Sequence, residues 1–127
     1  MTTASTRIDA AKDRARGAVD HIADELVRIS REIHAHPELA FKEHHAVSQL
    51  VPFVKTQGFD VQTGVYGMET AFRGEWGHGP VTIAVCAEYD ALPEIGHACG
   101  HNLIATAGVG AAVALIKAID PADARVV

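Results

Sequence analysis

Val81-Thr82-Ile83-Ala84-Val85-Cys86-Ala87, the polar loop 88–101, and Asn102 leading into the apolar run 103–119 decide the fold. The first seven residues form a continuous, β-branched apolar run, which predicts a central strand covered on both faces, with Cys86 as a small buried hydrophobe within it. Asn102 is a good helix N-cap, and the run after it predicts a buried helix. Residues 103–116 fall short of the roughly 20 apolar residues a bilayer crossing needs, so no membrane segment is expected. Strand, loop and helix in that order form an α/β unit.

Upstream, Val19, Ile22, Leu26, Ile29 and Ile33 recur at spacings of three and four within residues 8–34, the pattern of an amphipathic helix. His36-Pro37 ends it, and a second helical pattern covers 43–57 with Gly58 as its stop. Pro52 inside that pattern predicts a kink, a break or a restart. Phe59, Val61, Val65 and Tyr66 then alternate as a strand, Thr70 to Arg73 form a short neighbour of it, and 74–80 read as a turn. Downstream, Pro121 stops the helix and Ala124-Arg125-Val126-Val127 opens another strand, so the chain is expected to stop inside a larger sheet with an open edge.

The chain has 127 residues, 48% of them apolar, within the range of an ordinary globular domain and against disorder. One domain is expected over 1–127, with no second domain, no internal repeat and no low-complexity segment. A formal net charge of −5 gives no reason to bind polyanions, so neither nucleic acid nor a membrane surface is an expected partner. Two cysteines make no disulfide framework, and residues 1–10 carry no secretory pattern, which together predict a cytoplasmic protein.

Chemistry concentrates between Glu88 and Asn102, where Glu88, Asp90, Glu94, His97, Cys99 and His101 follow the end of the strand. Loops at the carboxyl ends of strands in open α/β sheets hold their side chains on a rigid base. Cys99-Gly100-His101 offers a thiolate and an imidazole two residues apart, half of a site for Zn²⁺ or a neighbouring first-row ion. Asp90 would bridge, ligate, or hold a ligand histidine from behind. Cys99 as a nucleophile with His97 or His101 as base is the weaker alternative, since no third orienting group is identifiable. His34 and His36 do not share a helix face and read as capping or surface residues, while His44, His45 and His78 read as solvated.

The segments 87–93 and Gly96-His97-Ala98-Cys99-Gly100-His101-Asn102, together with Arg31-Glu32-Ile33-His34-Ala35-His36-Pro37-Glu38-Leu39-Ala40-Phe41, resemble the aminoacylase, hippurate hydrolase and auxin-conjugate hydrolase family of co-catalytic metallopeptidases. The form Glu88-Tyr89-Asp90 with His97-Ala98-Cys99-Gly100-His101-Asn102 most resembles the branch holding p-aminobenzoyl-glutamate hydrolases and the related dipeptidase-like amidohydrolases. The resemblance implies an incomplete three-layer αβα catalytic domain, with two N-terminal helices, then strands and the buried helix, of which this chain is the N-terminal portion. It implies Cys99 and His101 as metal ligands, Asp90 as the catalytic support of the metal site, and two Zn or Mn ions in the complete enzyme. Glu88 falls where other branches place a ligand histidine. The implied reaction is hydrolysis of amide bonds in N-acyl amino acids, aminobenzoyl-glutamate or dipeptides, by a complete protein that is a homodimer. The paired glutamates and later histidines of the family are absent from these 127 residues, so the chain alone is expected to be inactive. The alternative is a stand-alone, non-catalytic metal-binding or interaction module derived from such an enzyme.

Overall fold

The computed structural model describes residues 3–127; of the segment 1–10, which carries no secretory pattern, Met1 and Thr2 lie outside the described residues. Helix α1 spans Thr3–Ala35, α2 His44–Thr56 and α3 His101–Ala118; strands β1 to β4 span Asp60–Thr63, Phe72–Gly77, Val81–Ile83 and Ala124–Val126. The strands form one mixed sheet in the order β1-β2-β4-β3, an α/β arrangement. β1 and β2 pair antiparallel, β4 is antiparallel to β2, and β4 is parallel to β3 with Ile83 opposite Val126.

The apolar stripe of α1 works as its spacing requires. Ile22, Ile29 and Ile33 are buried against Leu50, Phe53 and Val54 of α2 and against Ala105, Val109, Val113 and Ile116 of α3, with Phe59 and Val126 closing the cluster. Each such side chain contributes about 1.5–3 kcal/mol by leaving water. α2 runs from His44 to Thr56 through Pro52, so the helix does not break there. Pro52 lies on the exposed side, where water can satisfy the carbonyl its missing N–H leaves free.

Several expectations are corrected. Residues 81–87 are not a central strand: only Val81–Ile83 is strand, and it stands at an edge of the sheet with β4 as its single neighbour. One short parallel extension continues it, from the Val127 N–H to the Ile83 carbonyl and from the Val85 N–H to the Val127 carbonyl. Exposure consequently alternates along 83–87, and Cys86 is exposed rather than buried. β2 continues to Gly77 through residues read as a turn, because β4 supplies partners for Trp76 and Gly77. Val65 and Tyr66 leave the first strand for a 3-10 turn in which Tyr66 has φ +58°. α3 is buried on one face only, where Gly108 packs against the backbone at Cys86 and Gly110 against Leu26, while Leu103 and Ile104 face solvent.

Two glycines with opposite surroundings test this packing. A Cβ at Gly79 would collide with the Ala124 backbone nitrogen, whereas one at Gly17, in the exposed interior of α1, meets nothing within 4 Å. Urea melts of Gly17→Ala should show a gain of about 0.5–1 kcal/mol from lost unfolded-state freedom. Gly79→Ala should lose stability, since backbone cannot yield as a side chain does.

Candidate functional site

Two loops meet at the end of β3. The chain between α1 and α2 returns at Leu39 to make a parallel bridge with Ala91, whose N–H donates to the Glu38 carbonyl at 2.6 Å. The Glu38 carboxylate accepts the N–H of His45 at 2.8 Å and of Ala46 at 3.1 Å, so one residue caps α2 and anchors the loop that carries Asp90. A carboxylate there also faces the positive end of the helix dipole.

A second tie fixes the same loop from the sheet side. Tyr89 donates its phenol to the Thr70 carbonyl at 2.6 Å, Thr70 donates its hydroxyl to the Glu43 carboxylate, and Glu43 accepts the Phe41 N–H at 2.8 Å. Glu43 and Thr70 are both buried. Burial, and secondarily the negative charge of Glu43, push the Tyr89 phenol up to about 12.

Between these ties, the structure brings Asp90 and His101 together. His101 Nδ1 lies 2.7 Å from Asp90 Oδ1 and 3.0 Å from the Asp90 carbonyl oxygen, so its proton is donated there and the Nε2 lone pair is left free. A carboxylate behind an imidazole fixes the tautomer and the ring orientation, the usual support of a metal-ligating histidine. Both side chains are about one-quarter exposed, at 24% for His101 and 27% for Asp90, which leaves an entry path. His101 opens α3, and the residue that caps this helix is Gly100, with φ +83°, in place of the expected Asn102. Asn102 instead turns inward and donates to the Ser30 hydroxyl at 3.0 Å and to the Ser30 carbonyl, joining α3 to α1. The left-handed turn at Gly100 lets the helix start earlier than a side-chain cap at Asn102 would.

Cys99 is free and exposed, and its thiol does not join Asp90 and His101 in a set of three mutually close donors. Glu88 and Glu94 are not among the buried residues. His97 is buried beside this pair, stacked on His34 at 6.1 Å, and neither ring nitrogen makes a hydrogen bond. Burial lowers its pKa, the neighbouring His34 adds to this, and the nearby Ile33 carbonyl offsets part of it without a bond of acceptable geometry. An unsatisfied buried imidazole next to an Asp-held histidine suits a site completed by a further polar or cationic group. Thiolate and imidazole donors fit a transition metal rather than Mg²⁺ or Ca²⁺. An open groove of about 770 Å³ between α1 and α3 includes His34 and Asn102 in its wall but not Asp90, Cys99 or His101.

Sequence reasoning missed one cluster. Among the described residues, the set of three potential ligands with donor atoms all within 4.8 Å of one another is Glu32, His36 and His45. His45, expected to be solvated, is half-buried: its side chain is partly exposed while its Nε2 is buried without a hydrogen bond. Only the fold, by laying the first turn of α2 against the last turn of α1, brings these residues together, and no spacing in the sequence announces it.

The Tyr89 tie yields a pH test. A phenol whose folded pKa lies above its unfolded value of about 10 contributes stability that is complete below pH 10 and is lost as pH rises toward 12. Tyr89→Phe should remove that alkaline loss from the pH dependence of the melting temperature, and at neutral pH should cost about 1 kcal/mol for the lost hydrogen bond.

No family model matches the chain. Among curated proteins it is 40% identical to the Xaa-Arg dipeptidase of Mus musculus over 94% of this chain and 30% of that protein. It is 35% identical to a component of the p-aminobenzoyl-glutamate hydrolase of Escherichia coli over 70% of this chain and 22% of that protein. With thermostable carboxypeptidase 2 of Saccharolobus solfataricus it shares 32% identity over 83% of this chain and 30% of that protein. The chain thus spans less than a third of the length of these relatives. With dipeptidase, carboxypeptidase and aminobenzoyl-glutamate hydrolase all matched across most of its length, the chain belongs to the peptidase and amidohydrolase family that these enzymes share.

Proposed function

We propose that the protein carrying this chain is a metal-dependent amidohydrolase that cleaves amide bonds of dipeptides, N-acyl amino acids or aminobenzoyl-glutamate. The observation that carries the reading is the His101 imidazole held through Nδ1 by Asp90 at 2.7 Å, with its other nitrogen free. The relatives support it, since one is named for Xaa-Arg dipeptides and another for p-aminobenzoyl-glutamate. On this reading Cys99 and His101 are metal ligands, and Asp90 orients His101 and fixes its tautomer. The bound Zn or Mn ions supply polarisation of the scissile carbonyl and of water. His97, buried and without a hydrogen-bond partner, is placed to steady a polar group entering beside His101. The 127 residues then form the N-terminal portion of a three-layer αβα catalytic domain; that the chain spans 30% of a relative's length supports its being a portion. Two free, exposed thiols suit a cytoplasmic protein. A homodimer is the proposed assembly of the complete enzyme.

The assay offers hippurate, aminobenzoyl-glutamate and a dipeptide panel that includes C-terminal arginine to the full gene product with added Mn²⁺ or Zn²⁺. Chelator-sensitive turnover of at least one substrate is expected. Asp90→Asn should lower it by about 10- to 100-fold, and Cys99→Ser should abolish it. Turnover that survives chelation or Cys99→Ser would refute the reading. The 127 residues alone, which on this reading lack the acid/base group and part of the metal shell, should show no turnover.

A further inference from the structure

We propose that Glu32, His36 and His45 bind a single Zn²⁺-class cation that clamps the end of α1 to the first turn of α2, through donors separate from Cys99 and His101. Glu32 sits in the last turn of α1, His36 follows four residues later just past the helix end, and His45 is the second residue of α2. Glu32 Oε2 lies 3.7 Å from His45 Nε2 and 3.8 Å from His36 Nδ1. A tetrahedral zinc with bonds of about 2.0–2.1 Å holds its donors roughly 3.3–3.4 Å apart, so each imidazole need close on the Glu32 carboxylate only by a few tenths of an ångström, with all three donors already within 4.8 Å of one another.

Three further observations point to a ligand. His45 Nε2 is buried and unpaired, and at 3.7 Å the Glu32 carboxylate is too far to accept a hydrogen bond from it. The His36 and His45 rings stand with centroids 4.1 Å apart, so both imidazoles are already gathered at one point. The His45 position is also held, its backbone N–H donating to Glu38, while His36 Nδ1, the nitrogen nearest the Glu32 carboxylate, lies 2.9 Å from the Glu32 carbonyl. That second contact leaves His36 Nε2 free, so the ring can ligate through Nε2 and keep it or through Nδ1 and exchange it. Two imidazoles and one carboxylate select Zn²⁺, Co²⁺ or Ni²⁺ over the oxygen-seeking Mg²⁺ and Ca²⁺. His36 is exposed, which leaves a path for the ion and a fourth position for water.

The test uses metal-stripped protein carrying Cys99→Ser, so that the thiol-containing site is removed, and Zn²⁺ alone as the probe. Calorimetric titration should show one Zn²⁺ per chain and thermal melting a rise in Tm with Zn²⁺ concentration. Adding Glu32→Gln, His36→Gln or His45→Gln should each raise the dissociation constant about tenfold or more. Co²⁺ in the same background should give visible absorption bands that His36→Gln removes. Should His45→Gln fail to fold, the exposed His36→Gln and the Co²⁺ spectrum decide. Absence of Zn²⁺ binding in the Cys99→Ser protein, or unchanged affinity after His36→Gln, overturns the proposal. Neither outcome depends on amidase activity, so failure here and failure of the proposed function are separable.

Discussion

Glu38 joins the start of α2 to the loop that carries Asp90. Its two carboxylate oxygens take the His45 and Ala46 amides at the start of α2, and its carbonyl takes the Ala91 amide one residue after Asp90. Backbone donors at a helix start are costly to leave unmet, so a carboxylate that meets two of them has one favoured place. The loop holding Asp90 then inherits the rigidity of a packed helix. A segment rich in polar residues and glycine keeps a fixed course because both its flanks, Tyr89 and Ala91, are tied to other parts of the fold.

The helices are legible in the sequence because burial on one face leaves a spacing of three and four, and Ile22, Ile29 and Ile33 obey it. The pairing of β1 with β2 is legible for a similar local reason, as is a strand at 124–126. The edge position of β3 is not. A run of apolar residues signals only that burial is favourable, not which strands adjoin it, and the short register between β3 and β4 leaves residues 84–88 alternately exposed. The exposure of Cys86 escapes a sequence reading for that reason alone.

At the site, residue types and spacing mark Asp90, His97, Cys99 and His101 as one neighbourhood, and the contact between Asp90 and His101 lies within it. What spacing cannot carry is anything assembled from distant segments. Asn102 has the chemistry of a cap because caps are local, yet its partner is Ser30, 72 residues away. The same holds for the Glu32, His36 and His45 cluster, which exists only because the loop after α1 doubles back.

The strand order carries a consequence for synthesis. β4, the latest of the four in sequence, is the strand that separates β2 from β3, so neither of those can find its sheet neighbour there until Val126 has emerged from the ribosome. The hairpin of β1 and β2 and the contacts of α1 with α2 are local and form first. Sheet closure comes after both, whereas the ties that hold the loop following β3, Ala91 to Glu38 and Tyr89 to Thr70, join residues that are all synthesised before β4.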